Sequence, residues 1–251
     1  MKVLTTITEW QSYRDTLNED SLGFVPTMGA LHEGHLSLVK ASREQNAKTV
    51  VSVFINPTQF DDKADFEKYP NDSRSDLERL EVAGVDLVLL PDTEQIYRDD
   101  YRFKVTESDF SRRLCGAHRP GHFDGVLTVV MRLLNLVRPE HAYFGEKDYQ
   151  QLQLIRDMAN AFFMPVKIVS CATVREADGL AMSSRNKHLD DADRAKAAKL
   201  YTALKHSQSA AEASRTLAAQ GFEVDYVEDI ATRRLAAARL GSTRLIDNVE
   251  I

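Results

Sequence analysis

The sequence predicts an α/β protein whose main domain is a parallel β-sheet covered by helices on both faces. Short apolar runs rich in β-branched residues alternate with segments of helical spacing through the first two-thirds of the chain. Repeated alternation of this kind favours parallel strand pairing, because each helix returns the chain to the same edge of the sheet. Ligands of such sheets bind at the carboxyl ends of the strands.

Local patterns predict the elements of this domain. The run 22–25 is a buried strand before a tight turn, and 50–55 is a β-branched strand that ends at a turn signal. Helical spacing over 72–83 ends at Gly84, which suits a C-terminal cap. The next predictions are strand 85–90, helix 126–137, strand 142–144, helix 149–163 and strand 166–169.

The pattern changes in the last third of the chain. Segment 190–220 is polar, rich in alanine and helical, and only brief strand signals follow it, at 222–227 and 244–246. We therefore predict two domains, a main domain over residues 1–173 and a small α+β domain over residues 174–251.

Composition limits the classes of function. The chain has 251 residues, of which 43% are hydrophobic, as in ordinary globular proteins. Its net charge of −6 argues against a broad nucleic-acid surface, so an anionic ligand must be held by a local cluster. We find no signal-peptide pattern at the N-terminus and no apolar run near the about 20 residues that span a bilayer. Cys115 and Cys171 fit no metal or redox spacing, so we expect a soluble protein of the reducing cytoplasm, without membrane or nucleic-acid partners.

The motif PTMGALHEGH at 26–35 is the most informative segment. It joins a buried strand to a helix through a glycine turn, so free backbone N–H groups and the helix dipole would form an anion cradle. His32 and His35 project from nearly one side, where they would hold a phosphate while charge builds on it. A metal helix of the H-E-x-x-H type needs histidines four apart, whereas these are three apart. The other alternative is that both histidines simply face solvent. Nucleotide binding is favoured over metal binding and over this alternative.

Two further motifs follow predicted strands and face the same sheet edge. NPTQF offers the neutral amides of Asn56 and Gln59, which can orient a carboxylate without the strong ion pair that arginine forms. GEKDYQQ places Lys147 for a phosphate, Asp148 for a ribose hydroxyl and Gln151 toward the same pocket. Taken alone, each segment is also compatible with an ordinary turn or a charged helix start.

Two loops offer additional candidate groups. MSSRN at 182–186 carries two hydroxyls and a guanidinium that suit polyphosphate oxygens, and a loop at a domain boundary can close over substrate. RPGHFDGV at 119–126 is a rigid turn entering a helix, and either a site role or a structural role fits it. Val126, Val129 and Val130 share one helical face, which would line an apolar pocket or pack into the core.

Together these motifs resemble the pantothenate synthetase (pantoate–β-alanine ligase) family. The combination of PTMGALHEGH, NPTQF, RPGHFDGV, FGEKDYQQL and DGLAMSSRN is specific, although no single motif is. The likeness runs from about residue 22 to residue 193 and returns at 238–248. The HEGH element is also similar to the HxGH motif of the wider nucleotidyltransferase superfamily.

The resemblance implies a Rossmann-like ATP domain, a small C-terminal lid domain and a homodimer. It implies a ligase of pantothenate biosynthesis, on the coenzyme A pathway. ATP and pantoate would give pantoyl adenylate and pyrophosphate, with Mg²⁺ required. The amine of β-alanine would then attack the adenylate and release pantothenate and AMP.

Carried over motif by motif, the resemblance also implies the site residues. His35, His32 and Lys147 would be catalytic, with His35 as the proton donor. ATP would contact Met28, Gly29, Ala30, Leu31, His32, Glu33, Gly34, His35, Gly145, Glu146, Lys147, Asp148, Val174, Met182, Ser183, Ser184 and Arg185. Pantoate would bind Gln59 and Gln151, with its methyl groups against Pro26, Met28, Val126, Val129 and Val130. Asp76 would be the Mg²⁺ ligand.

Three features depart from the family's pattern. Thr58 stands where methionine is usual, which predicts a looser apolar contact beside the neighbouring glutamine. Asn71 and Ser75 replace residues that are often Arg and Asp, so Mg²⁺ binding rests mainly on Asp76. Segment 228–238 is shorter than usual, which predicts a shortened C-terminal domain and puts lid closure in question.

Three other functions are weighed against this one. Another nucleotidyltransferase would share the histidine motif but not Gln59 together with Gln151. A tRNA synthetase would need an RNA-binding appendage, for which this short acidic chain has no room. A nucleotide-binding module without activity is favoured only if the shortened lid cannot close.

Overall fold

The computed structural model describes residues 1–17, 21–61 and 63–251, which form two compact units. The first unit comprises Met1–Gly145 and Gln150–Cys171, and the second comprises Glu146–Tyr149 and Ala172–Ile251. The short segment Glu146–Tyr149 therefore belongs to the second unit, although a strand of the first unit leads directly into it.

Strands and helices alternate through the first unit. Its strands are β1 (Lys2–Leu4), β2 (Leu22–Thr27), β3 (Lys48–Val53), β4 (Leu87–Leu89), β5 (His141–Gly145) and β6 (Lys167–Cys171). The helices are α1 (Ile7–Arg14), α2 (Glu33–Gln45), α3 (Lys63–Lys68), α4 (Ser73–Val82), α5 (Thr93–Ile96), α6 (Cys115–His118), α7 (His122–Val137) and α8 (Tyr149–Ala161). The 3₁₀ turns of the first unit are Pro57–Gln59 and Phe110–Arg112, and those of the second unit are Glu146–Asp148 and Ser184–His188.

The predicted parallel sheet is confirmed. Among the described residues, the first unit forms six strands in the order β1-β4-β3-β2-β5-β6, and every neighbouring pair is parallel. From β2 the chain steps outward through β3 and β4, and it then returns to the other side of β2 for β5 and β6. The carboxyl ends of β2 and β5 therefore flank the point where the strand order reverses, which is where open α/β sheets bind ligands.

Apolar side chains cover both faces of this sheet. On one face Val25, Val51 and Val88 are fully buried among residues of α2 and α4. On the other face α7 lies against β2, and the buried Trp10 of α1 donates its indole N–H to Leu136 O at 2.8 Å. Each such side chain stabilises the fold by about 1.5–3 kcal/mol relative to exposure, so both helical layers hold the sheet in place.

A glycine in β2 sets how closely α2 approaches the sheet. A Cβ at Gly23 would lie 2.1 Å from Ser42 Oγ and 2.5 Å from Asn46 Nδ2. The buried hydroxyls of Ser42 and Thr49 are hydrogen-bonded at 2.8 Å, and Asn46 Nδ2 donates to Tyr143 Oη at 2.7 Å. These contacts need the close approach, and they fix the helix whose first turn carries the two histidines.

The second unit combines helices with an antiparallel sheet. It contains α9 (Asp191–Ala197), α10 (Lys199–His206) and α11 (Ala210–Ala219), then β7 (Glu223–Ile230), β8 (Arg233–Leu240) and β9 (Thr243–Glu250) in the order β7-β8-β9. The helical prediction over 190–220 holds as three helices, since Ser209 caps a new helix by accepting the N–H of Glu212 at 3.2 Å.

Strand β8 was not predicted from the sequence. Its centre is a run of three alanines, a residue type depleted in strands. Ala236, Ala237 and Ala238 are almost fully buried where β8 pairs with β7 on one side and β9 on the other. Position in the middle of the sheet therefore overrides the low strand propensity of alanine. No helix in the described parts of either unit is long and apolar enough to cross a membrane.

Candidate active site

The loop after β2 is held by a buried carboxylate. Gly29 and Ala30 have positive φ angles of 78° and 51°. The N–H groups of Ala30 and Leu31 donate to the two carboxylate oxygens of Asp76, each at 2.8 Å, and that of Gly29 donates to Thr27 Oγ1 at 3.2 Å. The expectation of free N–H groups is wrong for these three residues, because side chains of the protein already accept from them.

Asp76 braces this loop against α4. The residue is 4% exposed, and a Cβ at Gly29 would lie 2.7 Å from its Oδ2 atom. Gly29 is thus needed for its positive φ and for this close approach. Mg²⁺ demands oxygen ligands in near-octahedral geometry, but both oxygens of this carboxylate are committed to backbone N–H groups. Within residues 1–17, 21–61 and 63–251 no three His, Cys, Asp or Glu side chains could hold a metal, so these residues do not fit a protein-held Mg²⁺ at Asp76.

His32 and His35 cap the first turn of α2 reciprocally. His32 is the N-cap residue, and its Nδ1 accepts the N–H of Gly34 at 3.1 Å. The Nδ1 of His35 accepts the N–H of His32 at 3.3 Å, and the two ring centroids are 4.1 Å apart. This is the arrangement of a capping box, with imidazoles in place of the usual hydroxyl and carboxylate.

These bonds fix the tautomer of both rings. A ring nitrogen that accepts an N–H carries no proton, so each neutral imidazole carries its proton on Nε2. Both Nε2–H groups are therefore hydrogen-bond donors, which is the chemistry that phosphate oxygens require. Protonation of either Nδ1 would place an N–H against a backbone N–H and would break the cap.

Asn56 closes a hydrogen-bond network after β3. The residue is 1% exposed; its Oδ1 accepts from Tyr97 Oη at 2.6 Å, and its Nδ2 donates to Gln59 Oε1 at 3.1 Å and to Gly125 O at 3.3 Å. The expectation that Asn56 offers its amide to a ligand is therefore wrong, because neighbouring groups use both ends of it. The Gln59 amide is oriented by this bond, with its NH₂ group as the donor end for a substrate.

Thr58 takes part in the same network. Its hydroxyl donates to Asn56 Oδ1 at 3.0 Å and lies 2.9 Å from Tyr97 Oη. Burial raises the pKa of Tyr97, so this phenol stays protonated and able to donate. The threonine therefore has polar partners at the position where the resemblance implied a methionine.

The turn before α7 holds the backbone of Gln59. His122 Nδ1 donates to Gln59 O at 2.7 Å, and Arg119 Nη2 donates to the same carbonyl at 3.2 Å. Arg119 Nε also donates to Asp61 Oδ1 at 2.7 Å. Burial alone would raise the pKa of Asp61, but the hydrogen bond and charge of Arg119 hold it below its ordinary value. The RPGHFDGV motif was compatible with a site role or a structural role. The geometry supports the structural role, in which Arg119 and His122 hold the backbone of Gln59.

An apolar wall lies beside the Gln59 turn. Val126, Val129 and Val130 are at most 6% exposed on α7, which packs against the 3₁₀ turn Pro57–Gln59 and against β2. Pro26 and Met28 stand at the carboxyl end of β2 and are partly buried.

Two adjacent glutamines of α8 have different environments. Gln151, the predicted pantoate ligand, is partly buried. Gln150 is 5% exposed, accepts the N–H of Cys115 at 3.0 Å and donates to Phe110 O and Arg113 O at 2.7 and 2.9 Å. Gln150 was not predicted as a functional residue, although its spacing of four from the buried Leu154 places it on the inner face of the helix.

In the second unit the 3₁₀ turn Glu146–Asp148 carries Lys147. Its side chain is 20% exposed, and its ammonium lies 3.6 Å from Asp148 Oδ2. The carboxylate of Glu146 pairs with Arg233 at 2.9 Å, so it is bound within the protein. In the first unit a Cβ at Gly145 would meet nothing of the described chain within 4 Å, which leaves room for a ligand to approach this backbone.

The other predicted ATP contacts of the second unit lie on one folded loop. Met182 donates its N–H to Val174 O at 3.0 Å, so these two residues face each other. Ser183 caps the 3₁₀ turn Ser184–His188 by accepting the N–H of Arg185 at 3.3 Å. Ser184 is 7% exposed. The hydroxyl of Ser183 therefore organises the loop that carries Arg185.

Sequence comparison finds relatives over the whole chain. The profile of the family described as pantoate-beta-alanine ligase matches residues 2–250. The pantothenate synthetase of Bdellovibrio bacteriovorus is 53% identical over 250 residues, covering 100% of this chain and 99% of that protein. That of Legionella pneumophila is 49% identical, covering 99% of both. Because these proteins match over nearly their full length, the predicted shortening of the C-terminal domain does not distinguish this chain from them.

Solved structures share the fold. A pantoate-beta-alanine ligase from Francisella tularensis, complexed with beta-gamma ATP and beta-alanine, superposes with a TM-score of 0.95 at 38% identity, covering 100% of this chain and 97% of that one. A pantothenate synthetase from Thermus thermophilus gives 0.91 at 42% identity, with coverages of 100% and 99%. The Rossmann-like sheet with a small α+β part at the C-terminus is thus confirmed.

Proposed function

Because the chain belongs to the pantoate–β-alanine ligase family, we propose that it condenses pantoate with β-alanine through a pantoyl adenylate. In the first step a carboxylate oxygen of pantoate attacks the α-phosphorus of ATP, and the bond to pyrophosphate breaks. In the second step the amine of β-alanine attacks the acyl carbon. The electron pair of the broken C–O bond leaves with AMP, and the nitrogen loses a proton. The chain is an ATP-dependent carbon–nitrogen ligase of pantothenate biosynthesis.

The observation that carries this proposal is the reciprocal capping by His32 and His35. In the neutral form both rings are Nε2–H donors, and they follow the carboxyl end of β2, beside the point where the strand order reverses. Negative charge grows on the phosphate oxygens as pyrophosphate leaves, so donors fixed there stabilise the transition state more than bound ATP. We assign His32 and His35 to these oxygens, the loop Met28, Gly29, Ala30, Leu31, Glu33 and Gly34 to ATP, and the Lys147 ammonium to the α-phosphate.

We assign pantoate to the Gln59 side of the first unit. The Gln59 NH₂ group, oriented by Asn56, would donate to the carboxylate, and Gln151 would supply a second amide. Neutral donors hold the carboxylate without the strong ion pair that would weaken it as a nucleophile. The methyl groups of pantoate would rest on the apolar wall of Pro26, Met28, Val126, Val129 and Val130.

We assign the rest of ATP to two segments. Gly145, Glu146, Lys147 and Asp148 would hold the ribose and α-phosphate; Met182, Ser183, Ser184 and Arg185 would hold the β- and γ-phosphates, and Val174 would contact adenine. Arginine suits phosphate because its planar guanidinium donates in pairs. Mg²⁺ is proposed to enter with the ATP phosphates, since Asp76 does not fit a ligand role.

Pyrophosphate release tests the function. Mixtures that lack pantoate or β-alanine in turn should show that the first turnover needs pantoate and not β-alanine. The complete mixture should form AMP, pyrophosphate and pantothenate in equal amounts. His35→Ala should slow the first step by about 10²–10³-fold, whereas the exposed Asn135→Ala on α7 should not. If the chain binds ATP but releases no pyrophosphate with pantoate, it is a nucleotide-binding module and the proposal is wrong.

We also propose that the chain acts in the cytoplasm as a homodimer. The family resemblance supports the dimer, and Cys115 and Cys171, which form no disulfide in the described structure, suit a reducing compartment. Sedimentation equilibrium should give twice the mass of one chain at assay concentrations. A single-chain mass throughout that range would contradict the dimer.

A further inference from the structure

The backbone on both sides of Lys147 is held by one side chain of β9. Asn248 Nδ2 donates to Glu146 O at 2.8 Å and to Lys147 O at 3.1 Å. These two carbonyls belong to the peptide groups that flank the Cα atom of Lys147. With both peptide groups bonded to a single amide, the φ and ψ angles of Lys147 are restrained, and its ammonium can move only by side-chain rotation.

Arg233 of β8 orients that amide. Its Nη1 donates to Asn248 Oδ1 at 2.7 Å, which leaves the NH₂ group of Asn248 facing the two carbonyls. Its Nη2 donates to Glu146 Oε2 at 2.9 Å, and the guanidinium lies 4.8 Å from the centre of the Tyr149 ring. One arginine thus contacts the holding residue and both ends of the segment Glu146–Tyr149.

A buried ion pair between Asp247 and Arg175 restrains β9 next to Asn248. Asp247 is 3% exposed, accepts from Arg175 at 2.7 and 2.9 Å, and accepts the backbone N–H of Asn248 at 2.8 Å. Burial raises the pKa of Asp247, and the hydrogen bonds and charge of Arg175 act in the opposite direction. The backbone of Asn248 is therefore held by Asp247, while the Asn248 side chain bonds to the segment Glu146–Tyr149.

We propose that Asn248, oriented by Arg233, is a positioning residue that sets the place of the Lys147 ammonium during adenylate formation. This inference rests on the proposed function, because it assumes that Lys147 meets the charge that develops on the α-phosphate. The position of Lys147 would then depend on β8 and β9 of the second unit rather than on the strand that precedes it in sequence. Loss of these donors would displace the ammonium, and a shift of about 1 Å at a reacting centre costs about 10²-fold in rate.

The first test is Asn248→Asp, which keeps the shape of the side chain and its contact with Arg233 but replaces both donated bonds with repulsion between oxygens. We expect pantoate-dependent pyrophosphate release to fall by about 10²-fold, with an unchanged KM for pantoate. Hydrogen exchange of the amides at 147–149 should accelerate. The matched control is Glu250→Gln, which removes an exposed partner of Arg233 at 3.1 Å that does not touch the segment and should change the rate by less than about 2-fold.

A double-mutant cycle separates positioning from a general structural role. If Asn248 acts through the ammonium, Asn248→Asp should change the rate of a Lys147→Ala enzyme by no more than about 2-fold. A full additional loss in that background would overturn the inference, as would a wild-type rate or unchanged exchange in Asn248→Asp. Arg233→Lys, which cannot bond Asn248 and Glu146 together, serves if Asn248→Asp does not fold and should give a smaller loss that also vanishes without Lys147. If the wild-type chain releases no pyrophosphate, the proposed function fails, and exchange still reports whether Asn248 holds the segment.

Discussion

A single added methyl group at Gly125 should disturb the pantoate side of the site. This glycine lies in the first turn of α7, where a Cβ would stand 2.2 Å from Thr58 O, 2.5 Å from Thr58 C and 2.8 Å from Gln59 N. All three are backbone atoms and cannot rotate away. For Gly125→Ala the carbonyl must retreat from 2.2 Å to at least 3.0 Å, which moves the 3₁₀ turn that carries Gln59 by about 1 Å.

This displacement has a cost in stability and a cost in activity. Overpacking of a tight contact costs about 1–3 kcal/mol, and the better helix propensity of alanine returns about 1 kcal/mol, so we expect a net loss of between zero and about 2 kcal/mol. The bond from Asn56 Nδ2 to Gly125 O, already 3.3 Å long, would lengthen. Because Gln59 would leave its place by about 1 Å, kcat/KM for pantoate should fall by about 10²-fold.

The assay is pyrophosphate release at varied pantoate concentration with saturating ATP, together with thermal unfolding of the same samples. The change should appear in kcat/KM for pantoate and leave the KM for ATP near its wild-type value. Asn135→Ala, on the exposed side of the same helix, should change stability by less than about 0.5 kcal/mol and leave the kinetics unaltered. A Gly125→Ala enzyme with wild-type stability and wild-type pantoate kinetics would refute the reasoning from this contact.

Three other changes have expected outcomes. Lys147→Ala should slow adenylate formation by about 10²–10³-fold with unchanged thermal unfolding. His35→Ala should slow it to a similar extent and also lower the free energy of unfolding by about 0.5–2 kcal/mol, because it removes half of the reciprocal cap of α2. Rapid-quench measurement of pyrophosphate checks both rates; if neither falls, the role assignment is wrong. Asp76→Asn should lower the free energy of unfolding by about 1–3 kcal/mol and raise the KM for ATP, because one carboxylate oxygen becomes an NH₂ group facing a loop N–H. Hydrogen bonding from Arg132 holds the pKa of Asp99 well below its ordinary value, so the native state binds fewer protons here than the unfolded chain. The stability that Asp99 contributes is therefore full above pH of about 4 and is lost as the pH falls further, so unfolding midpoints of the wild type and Asp99→Asn should differ at pH 7 and converge in acid.

Much of the fold followed from local patterns. The apolar strands and the helix ended by Gly84 were predictable because burial and capping leave a periodic record in neighbouring residues. Strand β8 has no such local pattern, because its alanines adopt strand structure only through pairing with β7 and β9. The histidine motif and the glutamine of NPTQF were recognisable as candidate site residues for the same local reason.

The sequence by itself determined the parallel α/β class, the family and the segments from which a site is built. Only the tertiary structure decided which polar groups of those segments are already used. Asp76 accepts hydrogen bonds from two loop N–H groups that lie 46 and 45 residues away in sequence. Tyr97 donates to Asn56 across 41 residues, and Asn248 donates to the carbonyls of Glu146 and Lys147 across about 100 residues. Hydrogen bonds are short-ranged and directional, so their partners depend on where distant strands bring the chain together, and no local pattern records that.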